Sequence, residues 1–250
     1  MFCTTTIDKL GKFKYENPES LFKYKGVIGV PSLEMVDDII DIQNFGVDAI
    51  KSNALVNSFI AHKKLEMGQS KCHKIHCGKK LPSCSTLKVH MEDMHNSDQE
   101  KYLRDHITSS ANNALTILKR KAQGYGIIAD IMYLLKAIPN GKHRTKVGFE
   151  LRQAWFLNSV LLNMESWHNL KDHQLKELKV LDQYLLRKIV GAHSKVPVEF
   201  LYLETSAIPI DFILTSRRLN YLHTILKGGD NEITKKIYFA QKKISKKGDF

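Results

Sequence analysis

The stretch FKYKGVIGVPSLEMVDDIIDI, residues 22–42, decides how the N-terminal part of this 250-residue chain is interpreted. Two β-rich runs, FKYKGVIGV and LEMVDDIIDI, meet near Pro31, which predicts a hairpin or an adjacent pair of strands. Adjacent carboxylates, Asp37 and Asp38, interrupt the second run. Two like charges are costly to bury, so a polar turn is one interpretation of the pair. Because Mg²⁺ prefers carboxylate oxygens, a metal-binding tip is the other.

Hydrophobic periodicity divides the rest of the chain into two regions. The first region combines β-rich runs with helices predicted at 4–16 and 46–67, and three further segments alternate as short strands do. These segments are KCHKIHC (71–77), TLKVH (86–90) and KYLRDHI (101–107). From Ser109 onward a helical period dominates, with Gly or Pro at the breaks. The helices predicted there are 110–121, 125–137, 144–164, 172–190, 208–226 and 231–243.

Two apolar stripes in the second region are typical of a helical core and not of a cofactor site. Helical spacing places their members on one face of each helix. The stripes consist of Trp155, Phe156, Leu157, Val160 and Leu161, and of Leu175, Leu178, Leu181, Leu185 and Ile189.

Composition restricts the classes of function. The formal net charge of +12 favours a polyanionic partner such as nucleic acid, because each neutralised phosphate releases counterions. No run of about 18 apolar residues occurs, so no membrane span is expected. The first residues contain no apolar signal segment and the four cysteines are unevenly spaced, which indicates an intracellular location, nucleus or cytoplasm. No catalytic triad, P-loop or dinucleotide fingerprint is present.

Residues 70–95, SKCHKIHCGKKLPSCSTLKVHMEDMH, contain a possible zinc site. Cys72, Cys77, His90 and His95 follow a C-x4-C-x12-H-x4-H pattern, which satisfies the spacing of a C2H2 zinc finger. Two thiolates and two imidazoles are suitable tetrahedral ligands for Zn²⁺. The pattern alone therefore predicts a nucleic-acid-binding finger.

Other features of the same residues count against a finger. The positions that would read bases in the major groove are Ser83, Thr86 and Val89, and none of these is a strong base reader. An additional thiol, Cys84, could compete for the metal, and the pattern occurs once. The strand-like alternation of the same segment offers a second interpretation without zinc.

Taken in order, segments along nearly the whole chain resemble the reverse transcriptases of animal non-LTR retrotransposons. Residues 22–39 (FKYKGVIGVPSLEMVDDI) resemble that family's catalytic motif C, and GQSKCHKIHCGK (68–79) resembles the palm segment after it. EKYLRDHI (100–107) resembles the "YLGD" element at the primer grip. Three segments resemble the helical region after the palm: LRQAWFLNSVLLNMESWHNL (151–170), LDQYLLRKIVGAHSKVPVEFLYLETSAIPI (181–210) and SRRLNYLHTILK (216–227).

The resemblance implies a chemistry for the adjacent aspartates. In the family a strand–turn–strand hairpin presents them to Mg²⁺, with Asp37 as the main ligand and Asp38 as its neighbour. The implied reaction is two-metal nucleotidyl transfer from a dNTP to a DNA primer on an RNA template. Lys71 then becomes a candidate phosphate contact.

The helical region would touch the template–primer backbone under the same resemblance. Its candidate contacts are two basic pairs on helices: Arg187 with Lys188, and Arg217 with Arg218. Phosphate contacts require positive charge and carry no sequence information, so these four residues predict sequence-tolerant binding.

The expected fold is α+β, with a partial palm at 1–108 and a mostly helical, thumb-like region at 109–250. The palm would run from after motif B through motif C and the primer grip, with a small antiparallel sheet. The family's motif A aspartate, fingers and motif B find no counterpart here, because MFCTTTIDKLGKF already resembles the helix after motif B. Arg104 stands where "YLGD" has glycine, and a turn with positive φ is disfavoured for arginine.

The sequence therefore predicts part of an RNA-directed DNA polymerase, a nucleotidyltransferase, that is inactive alone. Two alternatives stay open. One is a single C2H2 zinc-finger protein with its ligands at residues 72–95, and the other is a basic domain that binds nucleic acid without synthesis.

Overall fold

The computed structural model describes residues 22–24, 28–30, 33–35, 38–43, 46–77, 87–89, 92–102, 104–110, 112–166, 170–230 and 232–244. The chain falls into two compact units, one of residues 1–111 and 228–249 and the other chiefly of residues 112–227. Small two-stranded sheets occur in the first unit and helices in both, as expected for a mixed α and β chain. The helix predicted at 4–16 lies outside the described residues.

Four strands in the first unit correspond to the opening sequence stretch. They are β1 (Phe22–Tyr24), β2 (Ile28–Val30), β3 (Leu33–Met35) and β4 (Asp38–Ile40). β1 pairs antiparallel with β2, and β3 pairs antiparallel with β4. Each β-rich run thus folds back on itself, and the predicted pairing of the two runs with each other is wrong. Turn-forming residue types within each run, Gly in one and Asp in the other, account for the difference.

Helix α1 (Gly46–His62) organises the first unit. Its Val56, Phe59 and Ile60 are buried with Met67 packed against them, as their helical spacing predicts. The helix ends before the predicted residue 67. Lys64 adopts a φ of +54°, and the Leu65 N–H donates to the Ile60 carbonyl at 3.0 Å. This is the geometry of a left-handed helix C-terminus.

Among the described residues of the first unit, six further short strands form sheets. β5 pairs parallel with β8, whereas β6–β7 and β9–β10 are antiparallel pairs. Strands are therefore confirmed within 71–77 and 86–90, but the single strand predicted at 101–107 is wrong because this segment belongs to a hairpin. The strands are β5 (His73–Lys74), β6 (Lys88–Val89), β7 (Glu92–Asp93), β8 (His95–Asn96), β9 (Gln99–Tyr102) and β10 (Asp105–Thr108).

The remaining helices lie within the region for which the sequence predicts a helical period. They are α2 (Ala114–Lys136), α3 (Lys142–Leu151), α4 (Asn158–Val160), α5 (Asp172–Val190), α6 (Val198–Thr205), α7 (Ile210–Lys227) and α8 (Ile233–Ile244). The last of these belongs to the first unit, whereas the sequence groups it with the helical region. No helix among the described residues has the length and apolar character needed to cross a membrane.

The predicted break between residues 121 and 125 is wrong, because α2 is continuous there. Gly124 is buried where α2 packs closely on α5. A Cβ at this position would lie 2.5 Å from the Cδ2 atom of Leu181. The glycine thus permits close helix packing, which a sequence pattern cannot distinguish from a helix end.

The helix predicted at 144–164 is divided. A π-helical turn (Arg152–Leu157) separates α3 from α4, and a 3-10 turn (Met164–Ser166) follows. A π-helical turn contains an additional residue, so it rotates side chains out of the α-helical register. Trp155 is 37% exposed, so its predicted core position is wrong: the consecutive residues 155–157 cannot all lie on one face of a helix.

The core of the second unit lies between α2, α5 and the segment around the π-helical turn. The predicted stripes supply half of its buried residues, with Leu175 partly buried and Trp155 exposed. A buried ion pair crosses this core: Arg152 Nε lies 2.7 Å from Asp182 Oδ1, and its Nη2 lies 2.8 Å from Oδ2. The same Nη2 donates to the Ile208 carbonyl at 3.1 Å, which fixes the segment before α7.

Candidate nucleic-acid and metal-binding residues

One member of the aspartate pair, Asp38, begins strand β4 of the β3–β4 pair. Met35 and Asp38 are paired across the two strands, and Asp37 lies outside the described residues. After β4, the Asp41 carboxylate accepts a hydrogen bond from Ser52 Oγ of α1 at 2.6 Å. Ser52 is fully buried, so this bond fixes the end of the hairpin on the first unit's helix. Asp37 and Asp38 together offer carboxylate oxygens, the donor type that fits Mg²⁺.

The two cysteines of the zinc pattern each donate to a backbone carbonyl. Cys72 is half-buried, and its Sγ lies 3.4 Å from the Gly68 carbonyl oxygen. Burial raises the pKa of the Cys72 thiol, which favours the neutral thiol over the thiolate that zinc requires. Cys77 is exposed, with its Sγ 3.6 Å from the Thr108 carbonyl oxygen.

The structure describes one of the two histidines of the zinc pattern. His90 lies outside the described residues. His95 is exposed on β8 and pairs with His73 of β5. His73 in turn places its Nδ1 2.7 Å from Glu100 Oε1. Within the described part of the chain, no group of three or more His, Cys, Asp or Glu residues is placed to hold a metal ion.

The backbone around Lys88 is held in an extended form by α1. The Lys88 N–H donates to Asn53 Oδ1 at 3.2 Å, and the Lys88 carbonyl accepts from Asn57 Nδ2 at 2.8 Å. Val89 beside it is buried. A ββα finger requires a helix in this segment, whose backbone N–H groups bond within the helix itself. The geometry favours the strand interpretation.

The YLRD segment forms a tight hairpin. Tyr102 of β9 pairs with Asp105 of β10, so the strands are joined through residues 103 and 104. Arg104 adopts a φ of +70°, the left-handed conformation that glycine takes at least cost. The position therefore has the backbone conformation of a glycine although an arginine occupies it.

Lys71 ends a 3-10 turn (Gln69–Lys71) and is exposed. Its backbone N–H donates to the Gly68 carbonyl at 2.9 Å, which fixes the turn immediately before β5. The side chain is thus accessible to a phosphate at a defined place on the first unit.

Two of the four candidate cations on helices bind other parts of the second unit. Arg187 Nη2 donates to the Val196 carbonyl at 2.9 Å, which fixes the loop after α5. Arg217 Nη2 donates to Asn158 Oδ1 at 2.7 Å, which joins α7 to α4. Both guanidinium groups therefore stabilise the fold, which the sequence alone did not predict.

The other two candidates differ in exposure. Arg218 is half-buried, and burial lowers the pKa of its guanidinium from the usual value. Lys188 is exposed in the last turn of α5, with its Nζ 5.4 Å from the ring centre of Tyr184. Of the four, Lys188 has the most accessible charge.

Sequence reasoning missed an aromatic pair beside Lys188. The rings of Tyr125 on α2 and Tyr184 on α5 lie 6.3 Å apart in an edge-to-face arrangement. The i,i+4 spacing of Tyr184 and Lys188 is a signal that the sequence contains. The position of Tyr125 depends on which faces of α2 and α5 meet, so no local pattern indicates it.

Comparison of the chain with models of known protein families, with curated proteins and with solved structures finds no match.

Proposed function

We propose that this chain is part of a retrotransposon reverse transcriptase, an RNA-directed DNA polymerase. Residues 1–108 supply the part of the palm that carries motif C and the primer grip, and the following helices supply a thumb-like region. In the whole enzyme the partners are an RNA template, a DNA primer, a dNTP and Mg²⁺. The proposal rests on the ordered sequence segments and on the hairpin geometry at two of them.

The β3–β4 hairpin is the observation that carries the proposal. A polymerase motif C needs two strands joined by a turn at its aspartates. The register that pairs Met35 with Asp38 provides strands on both sides of Val36 and Asp37. Arg104 gives secondary support, because its positive φ occurs where the resembled "YLGD" element has glycine.

The chain's own residues have separable tasks in this proposal. Asp37 and Asp38 hold Mg²⁺, which, when bound, neutralises charge on the transferred phosphate. Lys71 and Lys188 are exposed cations suited to phosphate oxygens. Arg187 and Arg217 hold the loop and helix contacts of the second unit. The hydrogen bonds that hold Lys88 in a strand favour the palm interpretation of its segment over a finger helix.

The proposal is tested by two binding measurements on the 250-residue chain. Fluorescence anisotropy with an RNA template–DNA primer duplex should show affinity that falls steeply between about 50 and 200 mM salt. Electron paramagnetic resonance with Mn²⁺ as the probe for Mg²⁺ should show bound Mn²⁺ that the Asp37→Asn, Asp38→Asn double variant loses.

The matched control is Asp93→Asn, which removes an exposed carboxylate of β7, a strand outside the β3–β4 pair. It should retain the wild-type Mn²⁺ binding. Failure of the chain to bind the duplex, or equal Mn²⁺ binding by the double variant and the wild type, would contradict the proposal.

A further inference from the structure

We infer that the surface between α2 and α5 is a binding site for single-stranded nucleic acid, in which bases stack on two tyrosines. The site, here called the tyrosine seam, consists of Lys121, Tyr125, Glu177, Tyr184 and Lys188. The inference deepens the proposed function and rests on it, because it specifies the unpaired strand as the ligand of this surface.

The seam combines three side-chain contacts between and along two packed helices. Lys121 Nζ lies 3.2 Å from Glu177 Oε2 at one end. Tyr125 and Tyr184 meet edge to face in the middle, and Lys188 lies over the Tyr184 ring at the other end. Because α2 and α5 are long and share the core of the second unit, the helix backbones that carry the two tyrosines are held in place.

Both rings remain accessible despite these contacts. Tyr125 is 48% exposed and Tyr184 is 43% exposed. Exposed tyrosine rings of this kind offer a π-face to any base, and stacking of a base on an aromatic side chain tolerates all sequences. Tyrosine also loses little conformational entropy on binding, since it has two side-chain torsions.

The charge of the seam complements a phosphate backbone. Lys188 is exposed beside the rings, and Lys121 balances the charge of Glu177. Residues 112–227 contain 17 Lys and Arg against nine Asp and Glu, a formal excess of eight positive charges for the region that carries the seam. Aromatic faces with adjacent cations are the combination by which proteins bind single strands without sequence preference.

Single strands fit this surface better than duplexes do. Stacking on a tyrosine requires an unstacked base, which a duplex does not offer. A duplex can use the lysines alone through its phosphates. The tyrosines and Lys188 should therefore contribute differently to the two kinds of ligand.

The test is fluorescence anisotropy with labelled oligouridine and oligothymidine, each of about 20 nucleotides, and with a blunt duplex of similar length. Tyr125→Leu and Tyr184→Leu should each weaken single-strand binding about 5- to 20-fold without changing its salt dependence. Lys188→Ala should lower the slope of log K against log salt by about 1. Duplex binding by the tyrosine variants should stay within about twofold of wild type.

Two control variants separate stacking from other effects. Tyr184→Phe retains the aromatic face and should bind single strands as the wild type does. Tyr133→Leu removes a tyrosine of α2 that is 74% exposed and outside the seam, and it should also bind normally. Should Tyr184→Leu fail to fold, Tyr125→Leu still provides the test.

Unchanged single-strand affinity in the leucine variants, or an equal loss on the duplex, would overturn the inference. A loss with RNA alone would also overturn it, since it would indicate contacts to the 2′-hydroxyl and not base stacking. If the wild type binds the duplex but not single strands, the tyrosine seam is rejected as a single-strand site. The proposed function is not contradicted by that result. A wild type that binds no nucleic acid rejects both.

Discussion

The residue type of Arg104 does not suit the left-handed backbone conformation that its turn requires. An L-residue in the left-handed region costs about 1–2 kcal/mol, whereas glycine adopts it freely. Arg104→Gly should therefore stabilise the β9–β10 hairpin by about 0.5–1 kcal/mol after the entropy that glycine adds to the unfolded chain. Amide hydrogen exchange should report about two- to fivefold slower exchange in Gln99–Thr108.

A glycine on the adjacent strand provides the control for this prediction. Lys101 is exposed on β9, where the backbone is extended and glycine offers no relief. Lys101→Gly should speed exchange in the same hairpin, because glycine weakens a strand interior. Faster exchange in Arg104→Gly as well would show that the side chain of Arg104 matters more than its backbone conformation.

Asp182 is a buried charged side chain whose removal should strongly destabilise the second unit. Burial raises the pKa of this carboxyl, and the hydrogen bonds and charge of Arg152 oppose the rise. Asp182→Ala leaves the buried Arg152 guanidinium without its carboxylate, which should cost about 3–5 kcal/mol. Urea unfolding should show the transition of the second unit at a much lower denaturant concentration.

The double variant Arg152→Met, Asp182→Leu distinguishes the cost of an unpaired charge from that of lost packing. It replaces both charges with apolar side chains, which in other buried pairs is neutral or stabilising. The double variant should thus be more stable than Asp182→Ala alone. If both variants are equally unstable, the unpaired Arg152 charge does not account for the loss, and the packing and hydrogen bonds of this site do.

At the scale of elements, the sequence predicts helices well where one apolar stripe packs on one neighbour. The α5 helix has the predicted bounds 172–190, and four of its five predicted core residues are buried. The errors occur where packing overrides local signals. Gly124 suggests a break but allows close packing on Leu181, and Trp155 lies on the exposed side of its helical segment.

Helix α6 escaped prediction for a different reason. Its eight residues lie between the breaks at Pro197 and Pro209, a stretch too short to show a helical period. Of the candidate site, the aspartates and Lys188 are evident from the sequence, whereas the engagement of Arg187 and Arg217 depends on tertiary contacts. The same holds for the proximity of Tyr125 to Tyr184.

The elements between residues 72 and 96 also yield a prediction about zinc. Asn53 and Asn57 hold Lys88 in a strand, so a finger helix would have to break both hydrogen bonds. Elemental analysis of the purified chain should therefore find no stoichiometric zinc. Cys72→Ser, His90→Ala should fold as the wild type does, as judged by circular dichroism. One zinc per chain in the wild type, lost in this variant, would establish the finger instead.

The molecule as a whole combines two units with different tasks in the proposed enzyme. The first contains the hairpin of the aspartates, and the second contains the tyrosine seam and a core joined by the Arg152–Asp182 pair. The net charge of +12 on the whole chain favours binding to nucleic acid. Binding can therefore be measured on this chain whether or not synthesis occurs.

The last prediction concerns synthesis by residues 1–250 alone. Two-metal nucleotidyl transfer needs carboxylates that hold both metal ions, and the resemblance supplies Asp37 and Asp38 but no motif A aspartate among these residues. The chain should bind a template–primer duplex yet extend no primer with dNTPs and Mg²⁺, as followed by gel electrophoresis of a labelled primer. Asp37→Asn is the control, and it should give the same result as the wild type. Extension that depends on Asp37 would show that these residues already form a complete catalytic centre.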